Sequence, residues 1–175
     1  MSRRLTILLV FVLLCINRIH ALSSDYYIKK DTAYAYSLVR NAQKHENDAS
    51  YDSALYFYQS AAREFKNQKI PNEYLKCRNN IITVKRRSGQ TEGVIEEAFT
   101  NLTFCRKKYG DTHTISADCY SILGNLFSDE GNQDSSLFYF RKTLVILTTL
   151  PQTDIKKIAH VLRNLGIVHN YKGLF

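Results

Sequence analysis

The chain has 175 residues, 45% hydrophobic and 23% charged, which suits one compact domain or one short run of repeats. Its formal charge of +8 is interrupted throughout by acids, so the broad one-signed face that a nucleic-acid partner requires is absent. With 2 prolines, 7 glycines and no sustained apolar/polar alternation between Asn-Gly or Asp-Gly turns, long linkers and sheets are also set aside, and the class is all-α.

Residues 1–21 read as a secretory signal peptide. Arg3 and Arg4 supply the positive start, Leu5 and the run from Ile7 to Leu14 the apolar core, and Ala21 the small residue before the cut. The apolar run is shorter than the roughly 20 residues of a membrane span, so cleavage before Leu22 is the expectation and an uncleaved anchor the alternative. Removal of Arg3, Arg4 and Arg18 lowers the charge to +5. The expected location is outside the cytoplasm, periplasmic or extracellular, with membrane contact only through an uncleaved leader. Cys77, Cys105 and Cys119 remain, too few for a disulfide scaffold. They read as small buried apolar residues, or as one bridge between Cys105 and Cys119 across a turn.

Residues 22–30 form a short lead, and residues 31–175 repeat. Leu55, Ile95 and Leu137 share a column at spacings of 40 and 42. Ile82, Gly124 and Gly166 recur at 42, as do Gly89, Gly131 and Gly173. The units run over about 31–70, 71–110, 111–152 and an incomplete 153–175. Each has the pattern of two helices. In the third, Asp111 or Thr112 is the expected cap of a helix carrying Ile115, Cys119, Tyr120, Leu123 and Phe127, which Gly131 ends. A second helix presents Leu137, Phe140, Leu144 and Leu147, and Pro151 stops it. Small residues at Gly124, Gly166, Ala54 and Ser136 mark close helix crossings. A single hairpin cannot bury its apolar face alone, so the units must stack. Tyr51, Tyr58 and Tyr120 fall in packing columns, whereas Tyr36 lies off the packed face.

Leu123-Gly124, Phe127, Gly131, Ser136, Phe140 and Leu144 stand at the signature places of the tetratricopeptide repeat, which residues 31–175 resemble. The long period and the turn Tyr109-Gly110-Asp111-Thr112-His113-Thr114 are similar to the repeats of kinesin light chains and of bacterial CHAT-associated proteins. The resemblance implies an all-α, right-handed α-solenoid of stacked helix-turn-helix hairpins whose first helices line a concave groove for polypeptide partners. That groove would present Tyr36, Val39 and Gln43, then Lys76, Asn79, Thr83 and Arg86, then Asp118, Ser121, Asn125 and Ser128, and finally Arg163 and Ile167. Asn79 and Asn125 stand out because an amide side chain both donates to and accepts from an extended backbone. The lysine-and-asparagine carboxylate clamp of chaperone-binding members is not reproduced, since Val39 and Gln43 stand in its first unit.

No glycine-rich phosphate loop, His-Glu-x-x-His, Cys-x-x-Cys or Gly-x-Ser-x-Gly occurs, so no catalytic residue, metal or cofactor is expected. His160 and His169 fall half a helical turn apart in phase. Asn101-Leu102-Thr103 matches the N-glycosylation pattern, but its helical setting marks an accident. The sequence thus reads as an exported binding module or scaffold. The alternative is the sensor part of a larger enzyme, a histidine kinase or a CHAT-type peptidase. At the end, residues 154–171 form a helix with an apolar stripe of Leu162, Leu165 and Val168, and Phe175 stands where the next helix begins. A chain stopping there is expected to be a piece of a longer protein and to self-associate through its open last helix.

Overall fold

The computed structural model describes residues 13–14, 16–18, 32–152 and 154–173. Most of the expected leader, its cleavage site, the lead segment and Phe175 lie outside the described residues. From residue 32 onward seven helices follow one another: α1 (residues 32–47), α2 (Tyr51–Asn67), α3 (Pro71–Arg87), α4 (Val94–Tyr109), α5 (Thr114–Asp129), α6 (Gln133–Thr149) and α7 (Ile155–Tyr171). No strand occurs among the described residues, and no helix there is long and apolar enough to cross a membrane.

One turn chemistry recurs along the chain. Four times an N–H just past a helix donates to the carbonyl five residues back: Ser50 to His45, Ile70 to Phe65, Gln90 to Lys85 and Asn132 to Phe127, at 2.8–3.0 Å. The residue before each donor is left-handed, namely Ala49 (φ 55), Lys69 (φ 57), Gly89 (φ 79) and Gly131 (φ 75). This closure satisfies carbonyls that a helix end leaves bare. It reverses the chain tightly enough for consecutive helices to pack antiparallel.

The helix starts are individual. Pro71 opens α3, where its missing N–H costs nothing. Asn132 caps α6 by accepting from Ser135 N at 3.1 Å, and Asp154 caps α7 by accepting from Lys156 N and Lys157 N. The start of α5 differs from expectation. His113 is the cap, its Nδ1 accepting from Ile115 N at 3.2 Å. Asp111 is drawn away to Arg106 at 3.0 Å and to the Tyr120 hydroxyl, which donates to it.

Two apolar cores run through the stack and meet in α3. Cys77, Ile81 and Val84 of α3 join Ala35, Leu38, Tyr58, Ala61 and Phe65 of the first hairpin. Leu75 and Ile82 join Leu102, Leu123, Phe140, Leu147 and Val161 on the other side. A helix buried on two sides keeps only a narrow exposed strip, which decides what α3 offers to a partner. Gly124 lies at the α5–α6 crossing, where an added methyl would meet the Phe140 ring at 2.7 Å. Ser136 Oγ donates to the Gly124 carbonyl at 2.8 Å and pins the same crossing. Gly166, in the equivalent column, has nothing within 4 Å of its missing side chain, so the close crossing expected there is not formed among the described residues. On α7 the buried positions are Val161, Asn164 and Val168. Leu162, expected on the packed stripe, is 51% exposed because the packing arc is turned by one residue.

Candidate functional site: the cleft along the first helices

Helices α3, α5 and α7 lie side by side, α3 against α5 and α5 against α7, and form one face. The least buried strip of α3 follows helical spacing: Lys76 and Arg87 are exposed and Asn80 and Thr83 half-buried (i, i+4, i+7, i+11) between the two buried arcs. Opposite them Ser121, Ile122 and Asn125 project from α5, and Lys157 and His160 from α7. Together with Asp118 these residues enclose a cleft of about 350 Å³. Asn125 is shared with a cavity of about 460 Å³ that continues toward Ser128, Ile167 and Tyr171. Asp118, Ser121, Lys157 and His160 are shared with a smaller one of about 170 Å³. The three form one trough along the first helices.

Its walls are braced by ion pairs that step from one first helix to the next. Arg87 of α3 reaches Glu46 of α1 at 2.8 Å, Arg86 of α3 reaches Asp129 of α5 at 2.9 Å, and Lys157 of α7 reaches Asp118 of α5 at 2.6 Å. Asn164 Nδ2 of α7 adds a hydrogen bond to Asn125 Oδ1 of α5 at 3.1 Å. Lys76 pairs within its own helix to Glu73 at 2.7 Å, and that hydrogen bond holds its ammonium above the ordinary lysine range. Burial holds His160 below its usual value, helped by the positive charges of Arg163, Arg86 and Arg87. Exposed pairs of this kind each contribute only about 0–1 kcal/mol and can exchange partners with an incoming charged group.

The residues singled out by sequence divide into three groups. Lys76, Asn79, Thr83, Arg86, Asp118, Ser121 and Asn125 border the cleft. Tyr36 and Gln43 lie on α1 outside it; Tyr36 is 39% exposed and edge-on to Phe65 with ring centroids 5.1 Å apart. Arg163 is exposed on α7 and reaches the cleft through its charge on His160. Asn79 differs most from expectation. It is 6% exposed and its Oδ1 is turned inward, accepting from Asn101 Nδ2 at 2.6 Å and from Cys119 Sγ at 3.3 Å. Asn80, Arg87, Ile122, Lys157 and His160 were not singled out, although the spacing from Lys76 leads to the first two.

The trough offers amides, hydroxyls and cations. Among the described residues no group of three or more His, Cys, Asp and Glu is placed to hold a metal ion. The thiols of Cys77, Cys105 and Cys119 are free and buried, with the sulfurs of Cys105 and Cys119 3.4 Å apart. The hydrogen bond to Cys105, with burial, holds the Cys119 thiol well above its ordinary range. Asn101 is 1% exposed, closed to a glycan.

Stacked antiparallel hairpins with their first helices aligned along one face are the fold of a tetratricopeptide-type solenoid. No family model matches the sequence, and no curated protein matches it. Among solved structures it is similar to BtubC (BKLC) from P. vanneervenii, with a TM-score of 0.66 and 19% identity over 79% of this chain and 56% of that one. It is also similar to the TPR2AB domain of yeast Sti1 in complex with pHSP90, with a TM-score of 0.55 and 17% identity over 78% of this chain and 49% of that one. The chain thus spans about half the length of these structures.

Proposed function

We propose that the protein is an exported interaction module that holds an extended segment of another polypeptide in the trough along α3, α5 and α7. The observation that carries this reading is the run of three adjoining cavities lined by Asn80, Thr83, Ser121 and Asn125. Amides and hydroxyls spaced along one face suit the alternating donors and acceptors of an extended backbone. The solved complex of a solenoid of this type with pHSP90 supports a polypeptide ligand. Export rests on the leader: Arg3, Arg4, the apolar run and Ala21.

Peptides selected from a random display library on the folded chain test the reading. Asn80→Ala combined with Asn125→Ala should weaken the selected peptides by about tenfold, the order expected from losing hydrogen bonds on both walls, with circular dichroism unchanged. Binding that survives this pair and is lost on Glu96→Lys, on exposed α4, would place the ligand elsewhere and defeat the proposal. Export is tested separately: expression with the native start should yield a mature protein beginning at Leu22, and a cytosolic product retaining Met1 or Ser2 would reject it.

A further inference from the structure

A second recess, sharing no residue with the trough, opens where α2 ends, α3 begins and α4 passes by. It encloses about 320 Å³, the lower end of the range for ligand pockets. Its floor and walls are apolar: Phe65 is fully buried, Ile70, Pro71 and Tyr74 are half-buried, and Phe104 is 49% exposed. Tyr74 and Phe104 meet edge-to-face with centroids 6.5 Å apart, leaving the exposed edge of Phe104 without cover. The rim carries Lys66, Lys69 and Lys108, all exposed, and no acid lines the recess. None of the ion pairs among the described residues includes any of the three, whereas the arginines and lysine bracing the trough are paired. The third rim lysine belongs to the basic run Arg106-Lys107-Lys108 at the end of α4, in which Arg106 is paired to Asp111.

We propose that this recess docks an acidic segment of a partner protein that lays one aromatic or large aliphatic side chain against Phe104, Tyr74 and Ile70 while its flanking carboxylates meet the three lysines. An apolar floor ringed by cations of one sign is complementary to a ligand with an apolar centre and a negative margin. A bilayer calls for a broad basic face, whereas these three lysines surround a single hollow. Lys69 is fixed at the rim because its left-handed backbone is part of the α2–α3 turn. The site would therefore be available at the same time as the trough.

The test uses the full chain and a synthetic nonapeptide of aspartate and glycine with one central phenylalanine, titrated at low salt. Amide resonances of Ile70, Tyr74, Phe104 and Lys108 should shift on binding. Lys66→Glu, Lys69→Glu and Lys108→Glu together should weaken binding by at least about tenfold, the sum expected of three exposed ion pairs, and Phe104→Ala should weaken it with the lysines intact. Replacing the peptide's phenylalanine by glycine should have a similar effect. Asn80→Ala with Asn125→Ala should leave this peptide bound, which separates the recess from the trough. Equal binding by the triple variant, resonance shifts centred on the trough, or rim-dependent binding of phosphatidylglycerol vesicles without binding of the peptide would each overturn the proposal.

Discussion

Gly124 and Gly166 occupy the same column of the repeat, 42 residues apart, yet the same substitution should stabilise the fold at Gly166 and not at Gly124. Both are interior helical positions without a positive φ, so alanine gains about 1 kcal/mol over glycine from helix propensity alone. At Gly166 nothing lies within 4 Å of the added methyl, and the gain is kept whole. At Gly124 the methyl meets Cδ1 and Cε1 of Phe140 at 2.7 Å and Cγ at 3.0 Å. Phe140 is 1% exposed, and retreat of its Cγ drags the α6 backbone against the Ser136–Gly124 hydrogen bond. Overpacking of this kind costs about 1–3 kcal/mol, which cancels or exceeds the propensity gain. The two variants should therefore separate by about 1–3 kcal/mol, or roughly 3–9 °C in Tm at about 3 °C per kcal/mol for a chain of this size. Paired thermal and urea melts followed by circular dichroism measure this directly. Equal stabilisation by Gly124→Ala and Gly166→Ala would show that α5 and α6 are not held in this close crossing.

Other outcomes follow from the turns, the thiols and the buried amides. Ala49 carries a left-handed backbone that costs an L-residue about 1–2 kcal/mol; Ala49→Gly should raise stability by about 0.5–1 kcal/mol, and a lower Tm would refute that turn. Burial pushes the Cys77 thiol up to about 12 from an ordinary 9.0, so its contribution is complete below pH 9 and is lost as pH rises, because the unfolded chain releases that proton first. Stability should fall by about 1.4 kcal/mol per pH unit just above pH 9 from this group, and Cys77→Ala should flatten that slope whatever its effect on absolute stability. Asn101→Ala leaves the Asn79 Oδ1 without its 2.6 Å donor and should cost about 1–3 kcal/mol; a neutral result in urea melts would mean that the amide pair is not buried.

The helical grammar was legible because its signals are local. Gly89 and Gly131 announced their turns, Pro151 its stop, and the 42-residue period placed the hairpins. Ala49 and Lys69 make the same turn without glycine, so no residue type betrayed them. The cleft was half legible. Lys76, Thr83, Ser121 and Asn125 fell on the expected face; Asn79 borders the cleft too but turns its amide oxygen into the core, because α3 is packed on both sides. A shift of one residue, from Asn79 to Asn80, is 100° around a helix and exchanges a buried amide for a half-buried one on the cleft. Lys157 was not expected in the cleft, and His160 was weighed only against His169, because the place of both in the cleft depends on how α7 leans on α5. That tilt is set by tertiary contacts such as Asn164 to Asn125.

The substantial contacts among the helices from α2 to α7 join each one only to the next or to the next but one. Among the described residues from Tyr51 to Tyr171 no substantial contact ties the first of these helices to the last, so a pull applied across them meets no single breaking point. Hairpins would peel away one by one, each yielding its own length of slack while the rest stay wound. Strung between two anchored partners, the chain would behave as a compliant spring.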